Sequence, residues 1–176
     1  EYTYDDFGRT TSIVRRADGT DDAQRTRYAY DPAGNLITTE RDRFDPTNPS
    51  AGTVVESSTT SYDLRGFPVL ETDACGATTR YRYDGAARVL SREEQPLDRR
   101  TEYVYDDLHR VAERREIRGA STATPEALTD ELEYDALSRL VRTTHRGGEV
   151  NEFEYDSLGK GTVVRNADGR VVRHTY

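Results

Sequence analysis

The stretch Arg80-Tyr-Arg-Tyr-Asp-Gly-Ala-Ala-Arg-Val-Leu90 decides how this chain is read. Two tyrosines stand two residues apart, an aspartate follows at once, and an Arg-Val-Leu run closes the unit. The pattern returns as Thr26-Arg-Tyr-Ala-Tyr-Asp31, Thr101-Glu-Tyr-Val-Tyr-Asp106 and Asn151-Glu-Phe-Glu-Tyr-Asp156. In full, Tyr-Asp occurs at Tyr4-Asp5, Tyr30-Asp31, Tyr62-Asp63, Tyr83-Asp84, Tyr105-Asp106, Tyr134-Asp135 and Tyr155-Asp156, and Tyr176 stands where an eighth pair would begin. Successive tyrosines lie 26, 32, 21, 22, 29, 21 and 21 residues apart. A unit of 21 residues with three insertions fits this spacing, and such self-similarity marks a structural array.

All 12 tyrosines belong to this motif. The earlier position holds Tyr2, Tyr28, Tyr81 or Tyr103, or else Thr60, Leu132, Phe153 or His174. An i, i+2 spacing puts both side chains on one face of a strand, and large rings there favour cross-strand pairing. Four residues after the tyrosine come Gly8, Gly34, Gly66 and Gly159, with Ala87, His109 and Ser138 in the other units. An aspartate followed three residues later by a left-handed residue is a type I turn, and its carboxylate can accept backbone N–H groups at the turn's start. A second set of glycines, Gly76, Gly148 and Gly169, sits seven residues ahead of the next tyrosine and marks the opposite turn. Asp168-Gly169 and Gly147-Gly148 are hairpin signals. Each unit therefore reads as turn, strand, turn, strand: an all-β antiparallel meander of about fourteen strands.

The insertions fall near 18–26, 41–58 and 118–130, and read as loops that lengthen the glycine-side turns. One helical turn is expected at Thr124-Pro125-Glu126-Ala127-Leu128. His145, near Gly147-Gly148, is expected to be solvated.

Composition narrows the function. The chain has 176 residues, a formal charge of −8, 34% hydrophobic and 33% charged residues. A packed two-layer core of this length usually has more to bury; the composition suits either a disordered chain or a thin sheet wetted on both faces, and the repeats decide for the sheet. Acidity argues against nucleic acid as a partner, because Arg15-Arg16 and Arg99-Arg100 are short basic pairs diluted by acids. No apolar run approaches the roughly 20 residues of a membrane span, and no leader-type segment opens the stretch. Cys75 is the only cysteine, which excludes an internal disulfide and a multi-cysteine zinc site.

Catalytic signatures are missing. His109, His145 and His174 share no metal-ligand spacing, and there is no Gly-x-Ser-x-Gly elbow or glycine-rich phosphate loop. The acidic turn Asp45–Gly52 lacks the ligand spacing of a calcium loop. The expectation is a non-enzyme without catalytic residues, cofactor or metal, in which the tyrosine–aspartate pairs, with Gly8, Gly34, Gly66 and Gly159, are structural rivets.

These residues resemble the YD repeat of the RHS family, Tyr-x-Tyr-Asp-x-x-Gly-Arg followed by an apolar pair. Tyr81-Arg-Tyr-Asp-Gly-Ala-Ala-Arg-Val-Leu90, Tyr28-Ala-Tyr-Asp-Pro-Ala-Gly-Asn-Leu-Ile37, Tyr103-Val-Tyr-Asp-Asp-Leu-His-Arg-Val-Ala112 and Leu132-Glu-Tyr-Asp-Ala-Leu-Ser-Arg-Leu-Val141 carry the resemblance. It covers essentially the whole chain. It implies a β-strip curved as one segment of an RHS-type shell, as in bacterial polymorphic toxins, the cocoons of Tc toxins, wall-associated proteins and teneurins. The implied function is a scaffold that encapsulates or displays a polypeptide cargo, such as a C-terminal toxin, in a secreted or cell-surface setting. The alternative is an extracellular adhesion module binding carbohydrate or protein through its inserted loops. The family's shell-closing region and toxin domain have no counterpart here, so the chain reads as part of a longer protein. Its partners are then further YD repeats, or copies of itself joined through sheet edges.

Overall fold

The computed structural model describes residues 1–16, 23–44, 53–145, 148–166 and 168–173. Among them every regular element is a β-strand. Fifteen strands run β1 (Tyr2–Tyr4), β2 (Thr10–Arg16), β3 (Ala23–Tyr30), β4 (Leu36–Phe44), β5 (Thr53–Tyr62), β6 (Pro68–Thr72), β7 (Thr78–Tyr83), β8 (Val89–Gln95), β9 (Arg99–Tyr105), β10 (Val111–Arg118), β11 (Glu126–Tyr134), β12 (Leu140–Thr144), β13 (Val150–Tyr155), β14 (Gly161–Arg165) and β15 (Val171–Arg173). Strand order in the sheet is chain order, without a crossover, and every described pairing is antiparallel. The all-β meander expected from the repeat is the observed fold.

The chain divides into two compact units. One comprises Glu1–Arg82 with Glu94–Pro96, the other Tyr83–Glu93 with Leu97–Tyr176. In the first, β1 to β7 pair in succession; in the second, β9 to β15 do.

Among the described residues neither unit has a conventional core. Ala23, Ile117 and Val163 are the buried hydrophobic residues among those described. Strand residues are mostly half-buried, and on β3, β5, β7, β9, β11 and β13 the tyrosine positions are more covered than the residues between them. On β9, Tyr103 and Tyr105 are half-buried while Val104 is 53% exposed. The two-residue period thus selects a ring-bearing face, as alternation on a pleated strand requires.

Both sets of turns share one geometry. At Tyr-Asp turns the Asp106 N–H donates to Arg110 O at 2.9 Å and the His109 N–H to Asp106 O at 2.9 Å. At glycine-side turns Asp73 with Ala77, His145 with Glu149 and Asn166 with Arg170 form the same closing bond, at 2.9, 2.7 and 2.9 Å. The fourth turn residue has positive φ throughout: +76° to +94° at Gly8, Gly34, Gly66 and Gly159, and +66°, +65° and +63° at Ala87, His109 and Ser138. A side chain in that region is strained. Ala87→Gly is therefore expected to raise stability by about 0.5–1 kcal/mol in urea unfolding. A loss of stability would show that Ala87 is not strained.

The inserted segments differ from expectation. Residues 18–22 and 45–52 lie outside the described set, as does the calcium candidate Asp45–Gly52. The rest of each presumed loop is largely strand: 23–26 belong to β3, 41–44 to β4, 53–58 to β5, Arg118 to β10 and 126–130 to β11. The proposed helical turn at 124–128 is replaced by the start of β11. Alternating polar and β-branched residues here extend existing hairpins, because a paired ladder satisfies backbone groups that a loop leaves to water. Among the described residues of these segments only 119–125 is irregular, and it is anchored: Ser121 donates its N–H and its hydroxyl to the Asp98 carboxylate at 3.0 and 2.8 Å.

Candidate functional site

The repeated assembly starts from the aspartate. Asp106 Oδ1 accepts the N–H of Leu108 and of Arg110, both at 2.9 Å. Its other oxygen, Oδ2, accepts Arg110 Nε at 2.7 Å. Arg110 then lies over the Tyr134 ring, 4.6 Å from guanidinium carbon to ring centre. The Tyr134 hydroxyl donates to Val111 O at 2.9 Å, on the neighbouring strand. One aspartate, one arginine and the next repeat's tyrosine thereby fasten two successive turns.

The same assembly recurs. Arg9 clamps Asp5 and covers Tyr30 at 4.6 Å, and Tyr30 donates to Thr10 O at 2.9 Å. Arg88 clamps Asp84 and covers Tyr105 at 4.6 Å, and Tyr105 donates to Val89 O at 2.8 Å. Arg139 clamps Asp135 and covers Tyr155 at 4.8 Å, and Tyr155 donates to Leu140 O at 2.7 Å. Some arginines reach further: Arg110 to Ser138 Oγ at 3.2 Å and Arg139 to Asp156 O at 3.2 Å, while Arg88 meets His109 Nδ1 at 2.7 Å.

Departures from the motif are compensated locally. Where Asn35 replaces arginine, its side-chain amide donates to Asp31 Oδ2 at 2.9 Å. Where Phe67 does, Arg65 supplies the clamp on Asp63 instead, at 2.9 Å. Tyr62 still donates to Leu36 O at 2.9 Å. Lys160 holds Asp156 through its backbone N–H at 2.8 Å. Tyr4 stands apart: it lies on β1 and is 60% exposed. Tyr83 lies in β7, and its Asp84 joins the Arg88 clamp.

These contacts hold Asp5, Asp31, Asp63, Asp84, Asp106 and Asp135 below the ordinary carboxylate value near 3.8. In Asp84, Asp106 and Asp135 the leading cause is the backbone N–H of Arg88, Arg110 or Arg139, helped by the guanidinium. In Asp63 it is the Phe67 N–H, and in Asp31 the Asn35 amide. At Asp5 partial burial acts upward, and bonds from Arg9 and Phe7 outweigh it. A carboxyl whose folded pKa is depressed contributes stability above its unfolded value and loses it as pH falls through the folded one. The urea midpoint should therefore hold from neutral pH down to about 5 and decline below about 4. Asp106→Asn, lower in stability at neutral pH, should lose less on acidification. Equal acid losses in variant and parent would show that the clamp does not carry the dependence.

A second polar cluster was not legible in the sequence. His145, expected to be solvated, is half-buried, and its Nδ1 lies 2.7 Å from Asp130 Oδ1. Arg114 Nε donates to the other Asp130 oxygen at 3.1 Å. Burial pushes the Asp130 pKa upward, but His145 and Arg114 outweigh it and leave it lowered. His174 lies outside the described residues, and Cys75 is exposed. No cluster with metal-ligand character occurs among the described residues.

The Tyr-Asp turns also present apolar tips. Phe7, Leu64, Leu108, Leu137 and Leu158 are 84, 108, 63, 73 and 82% exposed.

No family model matches the chain. Over 175 residues, 97% of its length, it is 27% identical to double-stranded DNA deaminase toxin A of Burkholderia cenocepacia (strain H111), of which it spans 12%. The fold recurs within a Tc toxin. A chain of the Photorhabdus luminescens Tc holotoxin pore carrying a TccC3 mutation superimposes with a TM-score of 0.58 at 15% identity, over 90% of this chain and 10% of that one. A TcdB2–TccC3 crystal structure covers 93% of this chain and 11% of its own, at 16% identity and a TM-score of 0.39. No helix among the described residues is long and apolar enough to cross a membrane.

Proposed function

We propose that the chain is a wall segment of an RHS/YD-repeat shell that encloses or displays a polypeptide cargo, such as a C-terminal toxin, on a secreted or surface-exposed bacterial protein. The observation that carries this reading is the rivet itself. Each clamp consumes its aspartate, arginine and tyrosine in holding neighbouring turns together, which is the work of a wall. The relative named as a toxin, matched over nearly the whole chain but a small part of its own length, supports the setting. In this reading the segment performs no chemistry and binds no cofactor. Its mostly polar faces surround a cargo without strong hydrophobic capture, and the apolar turn tips pack against further repeats of the same protein. Sheet edges at β1 and β15 continue into those repeats by strand addition.

The test uses the longer protein that carries this chain followed by a cargo segment. Under native conditions the cargo should resist protease and be digested once urea opens the wall. A cargo cut natively as fast as the same segment expressed alone would overturn the reading.

A further inference from the structure

The polar cluster on β11, β12 and β13 holds a reactive set that the rivets do not use. Its placement follows from register. Arg114 stands opposite Asp130, and Thr143 stands between Leu132 on one side and Asn151 on the other. Two residues beyond Thr143, just past the end of β12, His145 meets Asp130. Residues two apart on an extended strand point the same way. Asp130, His145, Thr143 and Asn151 therefore gather on one face, each half-buried.

Their hydrogen bonds run in series. A carboxylate only accepts, so His145 Nδ1 carries the proton of the 2.7 Å bond to Asp130. In the neutral ring Nε2 is then the bare nitrogen, and it faces the Thr143 hydroxyl at 3.4 Å. Asn151 Nδ2 reaches the same hydroxyl oxygen from the neighbouring strand, also at 3.4 Å. Arg114 Nε on the other Asp130 oxygen, at 3.1 Å, keeps the carboxylate from turning away. A hydroxyl beside an imidazole that a carboxylate orients is an activated nucleophile. Its electrophile is already in the chain: the carboxamide carbon of Asn151 is bonded directly to the nitrogen that touches the hydroxyl. Cross-strand pairing holds the two partners together, which removes the entropic cost of bringing them to each other.

We propose that Thr143 and Asn151 join as a side-chain ester that ties β12 to β13, with His145 as the general base. His145 Nε2 takes the hydroxyl proton as Thr143 Oγ1 bonds to the Asn151 carboxamide carbon. The imidazolium, stabilised by Asp130, then protonates Nδ2; the carbon–nitrogen bond breaks and ammonia leaves. One carbon–oxygen bond replaces one carbon–nitrogen bond, no electrons are exchanged and no co-reactant is consumed. The reaction happens once per chain and turns over no substrate. It goes beyond the shell reading and does not rest on it, since the rivets stand with or without the ester.

The test is tryptic mapping by mass spectrometry of the longer protein that carries this chain, held natively at neutral pH for days and denatured before digestion. Trypsin cuts after Arg142, Arg146 and Lys160, so Thr143–Arg146 and Gly147–Lys160 separate unless they are joined. The expected result is a joined species lighter than the two peptides together by one ammonia, and split by hydroxylamine as an ester is. Thr143→Ala and Asn151→Ala should give separate peptides only, and Thr143→Ser should restore the joined species. Thr144→Ala, one residue along and on the opposite face, should link as the parent does. His145→Ala, with circular dichroism matching the parent, should link at least about a hundredfold more slowly. The proposal fails if the parent gives separate peptides only, if the joined species survives in Thr143→Ala, or if His145→Ala links as fast as the parent.

Discussion

Arg25→Ala should destabilise the first unit by about 3 kcal/mol, more than any other single change in it. Asp42 is 2% exposed and is the largest fully buried side chain among the described residues. Arg25 meets both of its oxygens, Nε at 3.2 Å from Oδ1 and the terminal nitrogen against Oδ2. Arg27 lies 3.8 Å away and is itself paired with Glu40 at 3.2 Å. Removing Arg25 strands a carboxylate that water cannot reach, and Arg27 compensates only in part. Asp42→Ala in the Arg25→Ala background should restore part of the loss, because the stranded charge leaves with it. Urea unfolding with hydrogen exchange at β3 and β4 reads both variants. A loss below about 1 kcal/mol, or a double variant whose loss equals the sum of the two singles, would show that the pair is not coupled.

Tyr134→Ala should cost the second unit about 2–3 kcal/mol, and Tyr134→Phe about 1 kcal/mol. Alanine removes the ring under Arg110 and the hydroxyl bond to Val111 O; phenylalanine removes only the bond. The ring is half-buried, so the alanine cost falls short of a full core deletion. Stability in an array is a sum over nearest-neighbour terms. The change should therefore speed hydrogen exchange at β10 and β11 and leave β2 to β4 unchanged. Exchange rising equally throughout would mean that the chain unfolds as one cooperative block.

Much of this architecture is local and therefore legible. Tyr103 and Tyr105 share a face because a pleated strand alternates. Asp106 begins a turn because its carboxylate reaches two following N–H groups. Gly8 and Gly34 sit where φ must be positive, and even Ala87, His109 and Ser138 are recognisable from their place in the period. The arginine four residues after Asp5, Asp84, Asp106 and Asp135 was visible as part of the motif. Its role was not, because Arg110 acts on Tyr134, a residue brought near only by the pairing of β10 with β11.

The 41–58 segment shows the same limit from the other side. As an insertion into the repeat it read as a loop, yet β4 and β5 run through much of it and bury Asp42. His145 looked like a solvated turn residue until β11 placed Asp130 beside it. By itself the sequence determined the period, the strand alternation, the turn type and the thinness of the sheet, all of which follow from interactions within a few residues. Only the tertiary structure decided which charges meet: Arg25 with Asp42, and Asp130 with both Arg114 and His145. Those partners are set by cross-strand register, which bulges and hairpin lengths fix and sequence separation does not reveal.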